Sequence, residues 1–203
     1  KDRPTLTGHT GAVECRALSR DERRIMSGAR DRAIQVWHVP SLFRRDPPGH
    51  TGSITSVTIS PSGQQVATGS HDKSIKIWDI ETSRPLMTLT GHQGKVFDTA
   101  FSHDNRHLAS CSEDQTVRIW NAISGKEVQK LRPQLGNVLS LSAHPEDPTF
   151  VAGGEDGTLG IYSFESGEKL QTLTGHRGAV HAVSFSPNGS RIASGAEDKT
   201  VRI

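Results

Sequence analysis

The 203-residue chain is poor in the groups that usually announce a function. Aromatic residues make up only 5%, and hydrophobic residues 33%, where globular chains counted with glycine reach about 45–50%. No apolar run approaches the roughly 20 residues that cross a bilayer, so no membrane contact is expected. Cysteine occurs twice, at Cys15 and Cys111. Two are too few for a disulfide framework. Both lie in apolar, β-like stretches and are expected to be buried free thiols, which fits an intracellular, reducing compartment. An excess of one charge is lacking too. The net charge is +2 with 23% charged residues, unlike a disordered polyelectrolyte. No secretory pattern stands at Lys1-Asp2-Arg3-Pro4, and the first residue is not Met, so the chain is expected to be a fragment or processed product.

What is abundant is glycine, serine and threonine, and they recur in phase. Five short stretches end in aspartate: Asp31, Asp72, Asp114, Asp156 and Asp198, spaced 41, 42, 42 and 42 residues apart. Gly-His stands 22 residues before four of them, with histidines His9, His50, His92 and His176. Six residues after the aspartates come Trp37, Trp78, Trp120 and Tyr162. Val, Ile and Thr fill the intervening runs, and Pro, Gly, Asn and Asp punctuate them. Val180 to Phe185, Arg191 to Ser194 and Thr200 to Ile203 read as three successive strands, and Leu86 to Thr90 as a fourth, outer one. No segment sustains a 3.6-residue period, so helices should be nearly absent.

A four-stranded unit of about 42 residues carrying Gly-His, Ser-Pro-x-Gly, Ala-Ser-Gly-x-x-Asp and Val-x-Ile-Trp-Asp in order resembles the WD40 repeat. The resemblance covers essentially the whole chain and implies an all-β fold. That fold is a β-propeller of about five four-stranded blades, expected to be part of a larger, typically seven-bladed ring, with a closed five-bladed ring as the alternative. The repeat units fall at about 8–48, 49–90, 91–132, 133–174 and 175–203, with 1–7 an outer strand completing another blade. The family's rings close by such a strand exchange.

Ser, His and Asp together are also the ingredients of a hydrolytic triad. Repetition of the set around a ring argues against catalysis. The resemblance instead implies a buried chain from the turn Asp to His, to Ser or Thr, to the Trp indole, each polar group needing a partner. The sets are His9, Ser27, Asp31 and Trp37; His50, Thr68, Asp72 and Trp78; His92, Ser110, Asp114 and Trp120; and His176, Ser194 and Asp198. The fourth unit departs from the pattern. Gln134 stands opposite His92, Ala152 opposite Ser110 and Tyr162 opposite Trp120, and only Asp156 remains. That blade should be held by packing and be the least rigid.

No catalytic residue, metal or cofactor is expected. His103 and His107 fall in a turn, and no cysteine pair has ligand spacing. Gly153-Gly154-Glu155-Asp156-Gly157 lacks the helix and Lys-Ser/Thr of a phosphate loop. Function is therefore expected at the surface. In the family the top-face positions are the third and fifth residues after the Gly-His histidine and the residue before the turn Asp. Here these include Lys95 and Asn137; Glu14, Phe97, Leu139 and His181; and Arg30, His71, Glu113, Glu155 and Glu197. Phe97 and Leu139 are apolar, on adjacent blades, with Lys95, Glu113, Asn137 and Glu155 as a polar rim, the anatomy of an interface. The expected partner is a protein or peptide, with no small-molecule substrate. The first 50 residues hold ten Lys and Arg against six Asp and Glu. Arg20 to Arg24 form a turn and Arg44-Arg45 a loop. A basic first blade could meet RNA or an acidic partner. The implied function is a non-catalytic protein–protein interaction scaffold. The alternative is a structural subunit of a ribonucleoprotein, ciliary or cytoskeletal assembly.

Overall fold

A computed structural model of the chain describes residues 7–19, 24–38, 44–45 and 49–203. Their regular structure is entirely antiparallel β, without a helix among the described residues. Blade one contains β1 (Val13–Leu18), β2 (Arg24–Ala29), β3 (Ile34–His38) and β4 (Arg44–Arg45). Blade two contains β5 (Ile54–Ile59), β6 (Gln65–Ser70), β7 (Ile75–Asp79) and β8 (Pro85–Leu89). Blade three contains β9 (Val96–Phe101), β10 (His107–Ser112), β11 (Val117–Asn121) and β12 (Glu127–Leu131). Blade four contains β13 (Val138–Ala143), β14 (Thr149–Gly154), β15 (Leu159–Ser163) and β16 (Lys169–Leu173). Blade five contains β17 (Val180–Phe185), β18 (Ile192–Ala196) and β19 (Val201–Arg202).

Each sheet is a meander whose strands lie in chain order. The first strand of each blade packs on the first strand of the next, from β1 to β5, β9, β13 and β17. The five blades thus stand side by side around a channel, as in a β-propeller. The expected outer strand at 1–7 lies outside the described residues apart from Thr7, which is not in a strand. Of the turn expected at Arg20 to Arg24, residues 20–23 lie outside them too, and Arg24 instead opens β2. Arg44-Arg45 corrects the sequence reading. The pair is strand, not loop, because its backbone pairs with Val36 and Trp37 as the outer strand of blade one. Two consecutive arginines carry no alternation that would have revealed it.

The turn aspartates explain why the second hairpin is so regular. The residue after each is left-handed: Arg32, Lys73, Gln115, Gly157 and Lys199, with φ between 62° and 84°. Four of these are not glycine, a costly choice for that region. The Asp carboxylate offsets the cost by accepting the N–H two residues on, as in Ser74 N–H to Asp72 and Thr158 N–H to Asp156, an Asx turn.

Apolar layers between blades form the core. Met26, Ile34 and Val36 of blade one meet Ile54, Val66 and Trp78 of blade two. Ala67, Ile75 and Ile77 meet Val96, Leu108 and Trp120. Ala109, Val117 and Ile119 meet Val138, Phe150 and Tyr162. Val151 and Leu159 meet Val180 and Val183. At the corresponding face of blade five, Val201 and Ile203 are 74% and 82% exposed.

Candidate functional site: the channel mouth

Blades one to three carry the full polar chain, and blade five carries it without the indole. In blade three, His92 Nδ1 lies 3.0 Å from Asp114, and His92 Nε2 lies 2.8 Å from Ser110 Oγ. Trp120 Nε1 donates to Ser110 at 2.8 Å. Blade two repeats this with His50 to Asp72 at 2.9 Å, His50 to Thr68 at 2.8 Å and Trp78 to Thr68 at 2.9 Å. Blade one does so with His9, Asp31, Ser27 and Trp37, the indole bond stretching to 3.3 Å. In blade five His176 joins Asp198 and Ser194 at 3.1 and 2.9 Å. The order of bonds assigns the proton on Nδ1 to the carboxylate and makes Nε2 the acceptor of the hydroxyl.

The electrostatics agree with a neutral imidazole. Burial lowers the pKa of His50 and of His92, against the pull of Asp72 and Asp114. Burial works in the opposite sense on Asp72, but the Ser74 hydroxyl, His50 and the Thr51 and Ser74 amides outweigh it and hold the carboxyl at about 2. Asp114 is held lower in the same way, burial being outweighed by Thr116, Gln93 and His92.

Blade four solves the same space differently. Gln134 takes a left-handed backbone, with φ of 60°, and turns outward. Leu135 turns in instead and is 3% exposed. It packs with Phe150, Tyr162 and Phe164, where Phe150 stacks on Tyr162 at 5.5 Å between ring centroids. Gly160 leaves room for the Tyr162 ring, since a Cβ there would come within 2.5 Å of it. Asp156 keeps its Asx turn through Thr158, which explains why it alone of the polar set is retained.

The top-face residues sit at a feature the sequence reading missed. The first strand of every blade has a β-bulge, at Glu14, Thr55, Phe97, Leu139 and His181. A bulged residue leaves the ladder and its side chain is re-aimed. All five line one cavity of about 440 Å³ at the channel mouth, with Arg16, Ser56, Asp98 and Ser140 among its walls. Phe97 and Leu139 are half-buried, while Glu14, Arg30, His71, Glu113, Glu155, His181 and Glu197 are exposed. Two of the rim pairs are ionic. Arg30 bonds Glu14, and Lys95 reaches Glu113 at 3.4 Å. Asn137 N–H donates to Glu155 at 3.3 Å.

One step below the bulges runs a belt of hydrogen bonds between blades. Thr99 N–H donates to Ser56 Oγ at 3.0 Å, Leu141 N–H to Asp98 Oδ2 at 2.8 Å, and Val183 N–H to Ser140 Oγ at 3.2 Å. Asp98 is its knot. Its carboxylate also accepts from Ser56 and Ser140 hydroxyls at 2.9 and 3.2 Å and from Thr99 N–H, tying blades two, three and four. Burial raises its pKa against these four donors. The signal lay in the sequence as Ser56, Asp98 and Ser140, polar residues 42 apart inside apolar strands. At the same position Cys15 only approaches Gly28 C=O at 3.7 Å. Cys15 is half-buried rather than buried, while Cys111 is fully enclosed. Burial pushes the Cys15 thiol up to about 12, which leaves it un-ionised at neutral pH.

Five matches to the family model described as WD domain, G-beta repeat, cover residues 1–38, 43–79, 83–121, 125–163 and 167–203. The chain belongs to the WD40 family. No curated protein matches it at a significant level. The matches that begin at 43, 83, 125 and 167 open at or just before β4, β8, β12 and β16, the outer strand of the preceding sheet. The family repeat is therefore offset by one strand from the blade, and these four repeats each bridge two blades. WD40 propellers are generally protein-interaction scaffolds, and no helix among the described residues is long and apolar enough to cross a membrane. The basic first blade is partly neutralised. Arg24 pairs with Glu81 at 2.6 Å and Arg30 with Glu14.

Proposed function

We propose that this propeller is a non-catalytic scaffold that docks a protein segment over blades three and four, with Phe97 and Leu139 as its apolar anchors. The observation that carries the reading is the pair of bulges. They direct two apolar side chains of adjacent blades into one open cavity, inside the polar rim of Lys95, Glu113, Asn137 and Glu155. The hydrogen-bonded His–Ser pairs support no competing hydrolytic role. Their hydroxyls are buried, with Thr68 and Ser110 wholly enclosed, and in blades one to three the indole occupies the oxygen a nucleophile would present.

The test is affinity purification with the full chain against its Phe97→Ala/Leu139→Ala form, quantified by mass spectrometry. Circular dichroism of both should be the same. The double variant should lose most of the proteins the parent retains. An unchanged set on a folded variant would refute the docking site.

A further inference from the structure

The channel mouth carries a glutamate at the same place on three successive blades. On the residue before the turn Asp, blades three, four and five carry Glu113, Glu155 and Glu197, all exposed. Lys95 partly neutralises Glu113. Glu155 and Glu197 make no ion pair among the described residues, although Arg177 and Lys199 of blade five are exposed. Below them Asp98 is taken up by four hydrogen bonds within the belt, so the exposed glutamates carry the charge on this side. At the other side of the mouth Arg16 lines the cavity and Arg30 is engaged by Glu14.

We infer that the docked segment presents an apolar side chain flanked by a basic one. The apolar group fills the cavity between Phe97 and Leu139, and the lysine or arginine faces Glu155 and Glu197. This rests on the docking site proposed above and adds the chemistry of its occupant. A neutral segment would gain the apolar contact alone. An acidic segment or a nucleic acid would meet like charge directly over the anchors, which costs affinity and slows encounter.

A random-peptide display library selected on the immobilised full chain tests this. Enriched peptides should share an aliphatic or aromatic residue next to Lys or Arg. A synthetic peptide of the consensus should bind Glu155→Lys/Glu197→Lys at least about tenfold more weakly and lose affinity steeply with salt. Phe97→Ala should weaken it as well. If the consensus is acidic or uncharged, and binding depends on Phe97 but not on the two glutamates, the docking site stands and the inference about charge is overturned. If binding is indifferent to Phe97 and Leu139, the docking site itself is wrong. Failure to enrich any peptide over a bare surface overturns both.

Discussion

Ser110 Oγ stands between two nitrogens, accepting from the Trp120 indole and donating to His92. Geometry alone would pass this as part of a triad. Access and the occupied lone pair make it a structural link instead. Trp120→Phe keeps a buried ring and removes the indole donor. It should cost about 2 kcal/mol in urea unfolding, the value of a buried hydrogen bond plus lost ring volume. Tyr162 offers the reverse case. Its hydroxyl is buried without a partner, and burial raises its pKa to about 12. Tyr162→Phe should therefore be neutral or stabilising by about 1 kcal/mol. The networks also fix how stability follows pH. His50 and His92 titrate lower folded than unfolded, so their contribution is complete above the unfolded value of 6.5 and falls as pH drops below it. Asp72 is depressed to about 2 from 3.8, so its contribution is lost over that lower window. Asp98, raised by burial, works the other way and is relieved by acid. With several networks against one knot, thermal melts should be flat above pH 7, decline below about 6.5 and drop again below about 4.

Strands and blades show where sequence reading succeeds and where it stops. Elements fixed by residue identity at a constant spacing were legible: the period, the polar sets, and the loss of that set in blade four. Elements fixed by backbone geometry were not. Nothing in Pro133-Gln134-Leu135 says that Gln134 will turn out and Leu135 in, because a gap-free alignment assumes equal dihedrals in every blade. The bulges were missed for the same reason, since they arise from how the first strand of each blade pairs with the second; the belt's polar residues stood at constant spacing, and only the way β5, β9, β13 and β17 meet joins them. These details give rigidity an address. In blade four the Asp156 carboxylate no longer holds the preceding loop, as Asp114 does through Gln93 N–H. Amide exchange should be fastest in 132–137, while β14 and β15, packed on Phe150 and Tyr162, should protect as well as β10 and β11. The belt predicts a second local effect. Cys15→Ser would put a hydroxyl where Ser56 and Ser140 accept the next blade's N–H, and should slow exchange at Val57.

The described residues form four inter-blade layers and leave two end faces bare, one on blade five at Val201 and Ile203 and one on blade one at Val13 and Leu18, each 55% exposed. Val201 and Ile203 occupy positions that Ile75 and Ile77 bury completely in blade two. Exposed apolar sheet faces associate, so the 203-residue chain should sediment as a concentration-dependent mixture. Val201→Lys/Ile203→Glu should shift it toward monomer.

The five bulges already hold a carboxylate, a hydroxyl, a phenyl ring, an isobutyl group and an imidazole on one repeated backbone. A single molecule thus contains its own substitution series at that position, and the fold has accepted every member. Changes at these points should alter what is recognised without a matching penalty in folding. New specificity could then arise one codon at a time, blade by blade, with the His–Asp networks left untouched.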